Sequence, residues 1–308
     1  MKTTAAKLVK GLVENLWQQY LRRVPYAGVY AELVNAQGGK VVHDHLAFRT
    51  LNTHTGEQPS GITAIGHLLE MLNYEKCGKY KFPKLMVSAV HYEHPDPFLP
   101  KIFVSQLEVE ELPEWARQVI QPKVINTPYL LSDQAIELMN ILSGKGTITN
   151  EAAEILIEEL TGYFRRPWRM PLWEDLLKIN DVSQYAAWTM IHGNSVNHFA
   201  ALLNMQQVAA WPDMEATCQA LLDAGVPMKD QIEGERGSYL RQSSTQAVKE
   251  RIKIRDESGE LKEKDWTYAY YELTERGNVL TNHGEKLYSG FLADQATHLF
   301  RMTETREN

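Results

Sequence analysis

The chain contains two cysteines in 308 residues, Cys77 and Cys218, and neither has C-x-x-C spacing. That excludes a disulfide framework and thiolate-rich metal ribbons, and makes a reducing compartment, the cytoplasm, the expected location. Excess positive charge is also missing. Lys and Arg number 32 against 39 Asp and Glu, for a net charge of -7, which leaves no electrostatic footprint for nucleic acid. The basic cluster Arg165-Arg166-Pro167-Trp168-Arg169 is too short to alter this and reads as a solvated helix end. No apolar run reaches bilayer length, so no membrane partner is expected. Lys2, Lys7 and Lys10 interrupt the N-terminus where a signal peptide would need a compact apolar stretch. There is no G-x-G-x-x-G or Walker-type loop, no G-x-S-x-G elbow and no H-E-x-x-H pair. What remains is an ordinary composition, 44% hydrophobic and 23% charged, long enough to bury a large core.

Against this background one short phrase occurs twice. Asp44-His45-Leu46-Ala47 is echoed by Asn197-His198-Phe199-Ala200. Each copy is a small acid or amide, a histidine, an apolar residue and an alanine. Each is followed by a helix-like segment, Ile62 to Tyr74 and Met214 to Ala224, and then by strand-like segments. A duplicated unit presenting one histidine per copy points to a metal held between two similar halves.

The rest of the chain can be arranged around that repeat. Val9, Leu12, Val13, Leu16 and Tyr20 recur at helical spacing within an N-terminal helical region, 1–39. The first module, 40–111, reads as a strand over Lys40 to Leu51, a helix over Gly61 to Tyr74, and strands over Leu85 to His91 and Ile102 to Val109, with one further strand left open. Segment 112–180 reads as a helical insert, with Ser132 and Thr149 as caps. The second module, 181–308, starts with Ala186 to Leu203 and continues with a helix stopped by Gly225 and Pro227. Three strands follow between Ser238 and Leu273, including a hairpin over Glu250 to Asp265, and then a C-terminal helix. The fold class expected is α+β, with two β-α-β-β-β modules around a metal in one domain.

Glu272 lies in the aromatic-rich strand Tyr268-Ala269-Tyr270-Tyr271-Glu272-Leu273, where an unpaired buried carboxylate is costly. Metal ligation resolves that cost, and so does an ion pair with an arginine. Two histidines and a carboxylate form the open facial set that suits non-haem Fe(II). A lone histidine on a half-buried strand is more often structural; the equivalent places of His45 and His198 in the repeat are what favour ligation. His43 competes on the same strand by alternation, His192 stands six residues before His198, and Glu108 and Glu275 are replacements for Glu272. Arg49 shares the His45 face by even spacing and suits a bidentate grip on a substrate carboxylate, a structural ion pair being the alternative. Arg241-Gln242-Ser243-Ser244-Thr245 concentrates donors in one strand, so Arg241, Ser243 and Ser244 are candidate substrate contacts unless this is a water-facing edge.

Taken together, His45-Leu46-Ala47-Phe48-Arg49-Thr50, the run from His192 to His198, the run from Arg241 to Thr245, and Tyr271-Glu272-Leu273-Thr274-Glu275-Arg276-Gly277 resemble the 2-oxoadipate dioxygenase/decarboxylase family. The resemblance spans about His45 to Tyr288. It implies a fold similar to the vicinal oxygen chelate proteins, a metal triad at His45, His198 and Glu272, and a carboxylate-binding arginine at Arg49. It also implies Fe(II) as cofactor, and a 2-oxo acid and dioxygen as reactants, with 2-oxoadipate giving 2-hydroxyglutarate and carbon dioxide. Longer bacterial members carry a further C-terminal region that contributes to the pocket, whereas this chain stops at Asn308. A redox-silent metal hydrolase or glyoxalase-like lyase or isomerase on the same scaffold is a second reading, and a non-enzymatic ligand-binding module a third.

Overall fold

Thr4 caps the first helix by accepting from the Lys7 amide, and the predicted apolar stripe from Val9 to Tyr20 is buried, joined by Leu8 and Trp17. The chain opens with β1 (Lys2–Thr4) and α1 (Ala5–Arg23), and Pro25 then starts a second helix, α2 (Pro25–Ala36), that periodicity had not separated from the first. The structure is a computed structural model and describes residues 1–56, 59–281, 284–292 and 303.

The first module is β2 (His43–Asn52), α3 (Gly61–Met71), β3 (Glu75–Phe82), β4 (Val87–Glu93) and β5 (Lys101–Glu108). The strand the sequence left open is β3. It forms one edge of the sheet, and its exposed Lys76, Lys79 and neighbours hide any apolar alternation. The insert supplies α4 (Glu114–Val124), α5 (Asp133–Lys145), β6 (Thr147–Thr149), α6 (Asn150–Tyr163), α7 (Trp173–Val182) and α8 (Gln184–His192). Ser132 and Thr149 cap α5 and α6 as expected, and β6 pairs with β1 to fasten the N-terminus to the insert. The second module does not begin with strand at Ala186. Residues Tyr185 to His192 of α8 are buried on every side, so the helix carries no amphipathic period and resembles a buried strand in sequence.

The second module then runs β7 (Val196–Leu202), α9 (Met214–Asp223), β8 (Leu240–Ser244), β9 (Lys249–Arg255), β10 (Leu261–Thr267) and β11 (Glu272–Arg276), followed by the small hairpin β12 (Asn278–Thr281) and β13 (Gly284–Leu287). The three strands expected between 238 and 273 are four. The predicted hairpin exists as β9 and β10 but stands as its own two-stranded sheet. The expected C-terminal helix falls outside the described residues.

One seven-stranded sheet, in the order β3-β4-β5-β2-β7-β11-β8, organises the molecule. In each half the first strand lies parallel to the last, β2 to β5 and β7 to β11, while β2 and β7 join the halves antiparallel. Leu46 faces Phe199 at the centre, flanked by His45 opposite Ala200 and Ala47 opposite His198. The register is therefore symmetric about the middle of the repeated phrase. Helices α1, α3, α5 and α6 bury one face of the sheet, around Leu46, Phe48 and Phe199. Helices α4, α7 and α8 bury part of the other, around Ala47, Phe103 and Leu107. β2 is buried without interruption from Asp44 to Leu51, as a central strand covered on both faces should be. The fold is α+β, two related modules joined through their first strands.

Candidate metal centre

The two histidines reach the centre by the same local device. Between His43 and His45 the pairing of β2 with β7 slips by one residue, leaving Asp44 as the extra residue of a bulge. A second slip leaves Asn197 extra on β7, immediately before His198. A bulge re-aims the side chains around it. Here it turns both the bulged residue and the following histidine to one place. His45 Nδ1 donates to Asp44 Oδ2 at 2.7 Å, and His198 Nδ1 donates to Asn197 Oδ1 at 3.0 Å. Each ring is thereby oriented with Nε2 toward its counterpart, and the two Nε2 atoms stand 3.2 Å apart.

Glu272, on β11, completes the set. Its Oε1 lies 3.6 Å from His45 Nε2 and its Oε2 3.5 Å from His198 Nε2. Gln242 Nε2 and the Thr274 hydroxyl donate to Oε1 at 2.5 and 3.1 Å, whereas Oε2 is buried with no hydrogen-bond donor among the described residues. Burial raises the Glu272 carboxyl above the usual range, with His45, Gln242 and Thr274 opposing that. Burial, together with the nearby His45 and Arg49, holds His198 well below the usual imidazole range and so neutral, the form in which imidazole ligates.

Two ligand atoms each about 2.1 Å from a shared ion stand about 3.0 Å apart at a right angle and about 3.4 Å apart at the tetrahedral angle. Of the three separations, 3.2 Å lies inside that range, and 3.5 and 3.6 Å exceed its upper end by about 0.1–0.2 Å. The donor chemistry, the held Nδ1 atoms and the orphaned Oε2 all fit a divalent first-row ion. The outer support is charged on one side. Arg276 Nε and Nη2 donate to Asp44 Oδ1 and Oδ2 at 2.5 and 2.8 Å. Burial alone would raise the Asp44 carboxyl, but Arg276 and His45 outweigh it and keep it ionised far below its ordinary range. Arg276 Nη1 also donates to the carbonyls of Tyr288 and Gly290. It thus ties the 288–290 segment to the residue that orients His45.

A pocket enclosing about 460 Å³, counted to its open mouth, lies over this centre. His45, His198, Asn197 and Gln242 give it one polar side, and Ala47, Phe103, Tyr270 and Phe291 give it walls. Tyr270 stacks on His198 with centroids 5.0 Å apart, and Phe291 meets His45 edge-on at 4.9 Å.

The remaining candidates are sorted by register. His43 does not share the His45 face, because the bulge at Asp44 breaks the alternation. It packs against Trp17 and Phe199, and burial lowers it to about 4. His192 is buried against Trp188 and Tyr268 with Nε2 3.2 Å from the Thr267 carbonyl. Glu108 hydrogen-bonds Asn52 and Gln106, and Glu275 pairs with Arg241 and accepts from the Met214 amide. Arg241 and Ser243 are corrected: pairing of β8 with β11 puts Ser244 opposite Glu272, so the odd-numbered residues face away from the centre. Arg241 is engaged by Glu215 and Glu275. Ser244 is buried directly across from Glu272, and Gln242, not singled out from the sequence, is the residue of this strand that lines the pocket. Arg49 continues the His45 face, and Ser105, its partner on β5, lines the pocket. The Arg49 guanidinium is buried 4.8 Å from the centroids of both Tyr185 and Trp188 on α8. Asp44 and Asn197 stood out in the sequence only as part of the repeated phrase, without a role, and the supporting role of Arg276 was missed. Arg276 was detectable, since 272, 274 and 276 share a strand face.

Comparison with known proteins bears on this geometry. A family model described as 2-oxoadipate dioxygenase/decarboxylase matches residues 8–308. The chloroplastic/amyloplastic 2-oxoadipate dioxygenase/decarboxylase of Oryza sativa is 28% identical over 209 residues, covering 63% of this chain and 49% of that protein. The chain thus matches about half the length of this relative, as it does of the Arabidopsis thaliana one. A crystal structure from Ralstonia eutropha JMP134, described as a glyoxalase superfamily protein, superposes with a TM-score of 0.85 at 27% identity, covering 94% of this chain and 87% of that one. The crystal structure of hydroxyglutarate synthase from Oryza sativa in complex with 2-oxoadipate shares the fold, with a TM-score of 0.72 at 23% identity over 95% of this chain and 91% of that one.

Proposed function

Because the chain belongs to the 2-oxoadipate dioxygenase/decarboxylase family, we propose that it oxidatively decarboxylates a 2-oxo acid with dioxygen, the expected reaction being 2-oxoadipate plus dioxygen giving 2-hydroxyglutarate plus carbon dioxide. The observation that carries this reading is the convergence of His45 Nε2, His198 Nε2 and the Glu272 carboxylate at the floor of a pocket. We assign these three residues as the ligands of Fe(II). When bound, ferrous iron supplies the redox chemistry and an open face for the substrate's carboxylate and keto oxygens and for dioxygen.

The chain's own residues supply orientation and enclosure. Asp44 and Asn197 hold the Nδ1 atoms, so both histidines turn Nε2 toward the shared centre. Gln242 and Thr274 fix one carboxylate oxygen of Glu272, which leaves the other for the ion. Phe103, Tyr270 and Phe291 keep bulk water from the reacting atoms, and a drier site strengthens every charge interaction within it. Arg49, strand partner of the pocket-lining Ser105 though not itself part of the lining, is the guanidinium we assign to a substrate carboxylate, whose register it would fix.

The test is an oxygen electrode. Protein loaded with Fe(II) under anaerobic conditions is mixed with 2-oxoadipate and then exposed to dioxygen. Equal uptake of dioxygen and release of carbon dioxide is expected, and neither occurring rejects this substrate. The same donor set also suits zinc in a hydrolase or lyase; a zinc-loaded protein that turns over a carbonyl substrate without dioxygen would favour that second reading.

A further inference from the structure

Ligating side chains also converge at the edge of the first module. Cys77, His91 and Glu93 bring a sulfur, a nitrogen and a carboxylate oxygen within 4.8 Å of one another. Backbone and packing build this arrangement. Pairing of β3 with β4 passes from Lys76 opposite Tyr92 to Gly78 opposite His91, so Cys77 is the extra residue of a bulge. A Cβ added at Gly78 would meet His91 Nδ1 at 2.6 Å and Cε1 at 2.7 Å. The missing side chain is the niche in which the imidazole lies. Within it, the Tyr80 hydroxyl stands 2.9 Å from His91 Nδ1, and His91 Nε2 faces Glu93 Oε1 at 3.1 Å. An imidazole with one nitrogen held by an outer partner and the other facing a carboxylate is oriented as a metal ligand is. His91 is buried, Glu93 half-buried and Cys77 exposed, which gives an ion a path from solvent.

Edge strands also use bulges and charges to avoid pairing with other chains. The lysines of β3 meet that need, and it does not require a niche for His91 or a thiol at the bulge.

We propose that Cys77, His91 and Glu93 form a second cation site, distinct from the His45, His198 and Glu272 centre. It takes a borderline-soft divalent ion such as zinc or cobalt(II) through one thiolate, one imidazole and one carboxylate, with water in the fourth position. On binding, the Cys77 S–H bond breaks, its proton leaves to solvent and the sulfur bonds the ion; nothing is oxidised or reduced. The partial desolvation of Cys77, with the Glu93 and Glu75 carboxylates, favours the protonated thiol in the free protein, while the Glu93 backbone and Lys101 oppose it. Uptake is therefore coupled to proton release and weakens at low pH. The ring of Phe291 lies 5.2 Å from that of His91 and 4.9 Å from that of His45, so one aromatic side chain separates the two sites.

The experiment is an anaerobic titration of the full chain with cobalt(II). The triad offers nitrogen and oxygen alone, so a near-ultraviolet thiolate-to-cobalt charge-transfer band reports cysteine ligation. Two binding events are expected, one of which carries the band. Cys77→Ser should remove the band and that event, His45→Ala should remove the other event and keep the band, and Cys218→Ser should change neither. Glu93→Gln should weaken the band-bearing event roughly tenfold or more. No band at saturating cobalt, or a band that survives in Cys77→Ser, overturns the proposal.

Discussion

The two halves of the sheet turn a histidine to the centre in the same way and then diverge. In both, a bulged residue before the histidine accepts from its Nδ1, and the alanine two residues beyond the histidine lies opposite the parallel last strand of the module. In the second half that alanine, Ala200, faces Glu272, and in the first half its counterpart, Ala47, faces Phe103. Equivalent positions thus hold the proposed ligand Glu272 in one half and a pocket wall in the other. The outer support differs as well. His45 is held by an ionised Asp44 locked to Arg276, whereas His198 is held by the neutral amide of Asn197. A duplicated scaffold can bring two imidazoles together by symmetry, but the open metal face proposed here requires that symmetry to be broken, and positions 103 and 272 break it.

The largest effect comes from testing that equivalence. Glu272→Ala should weaken iron binding by more than the roughly ten- to hundredfold typical of losing an outer partner. Adding Phe103→Glu should then restore a measurable part of it, as read by anaerobic iron titration. No recovery in a folded double variant would mean that the two halves do not present these positions alike.

Next is the asymmetric support. Arg276→Met leaves the buried Asp44 carboxylate without its ion-pair partner, a change that costs about 3–5 kcal/mol in denaturant unfolding. Iron affinity should fall roughly ten- to a hundredfold. The double variant Asp44→Asn, Arg276→Met should regain most of the stability, because no unpaired charge remains, but not the affinity.

The smallest effects separate two arginines proposed from sequence. Arg49→Ala should keep iron binding and lose roughly ten- to a hundredfold in kcat/KM, equivalent to about 1.5–3 kcal/mol for a charge-assisted contact. Arg49→Lys should recover part of this, because it restores charge without the fork. Arg241→Ala should leave kcat/KM within about threefold and cost about 1 kcal/mol of stability, its carboxylate partners being partly exposed.

These contrasts also mark how far the sequence could be read. The repeated phrase was legible because the acid or amide and the histidine are adjacent, so the local device is written in consecutive letters. Glu272 was legible as a carboxylate too costly for an aromatic strand without a partner. The bulges were not: strict alternation puts His43 beside His45, and a one-residue slip sends His43 into the aromatic core instead. The face of β8 was equally hidden. All five of its residues are buried, so polarity does not distinguish Gln242 and Ser244 from Arg241 and Ser243, and the pairing with β11 decides. α8 was mistaken for strand because its burial is uniform, and β3 was left open because its edge position strips it of pattern.

The central claim is that one divalent ion is shared by a histidine from each half and Glu272. The direct test is an anaerobic Fe(II) titration in a Cys77→Ser background, which removes the thiolate site from the count. The account predicts one iron per chain, with that binding abolished by His45→Ala and by His198→Ala alike, and with dioxygen uptake on 2-oxoadipate lost in step. Retention of a full equivalent of tightly bound iron in either folded histidine variant would contradict it.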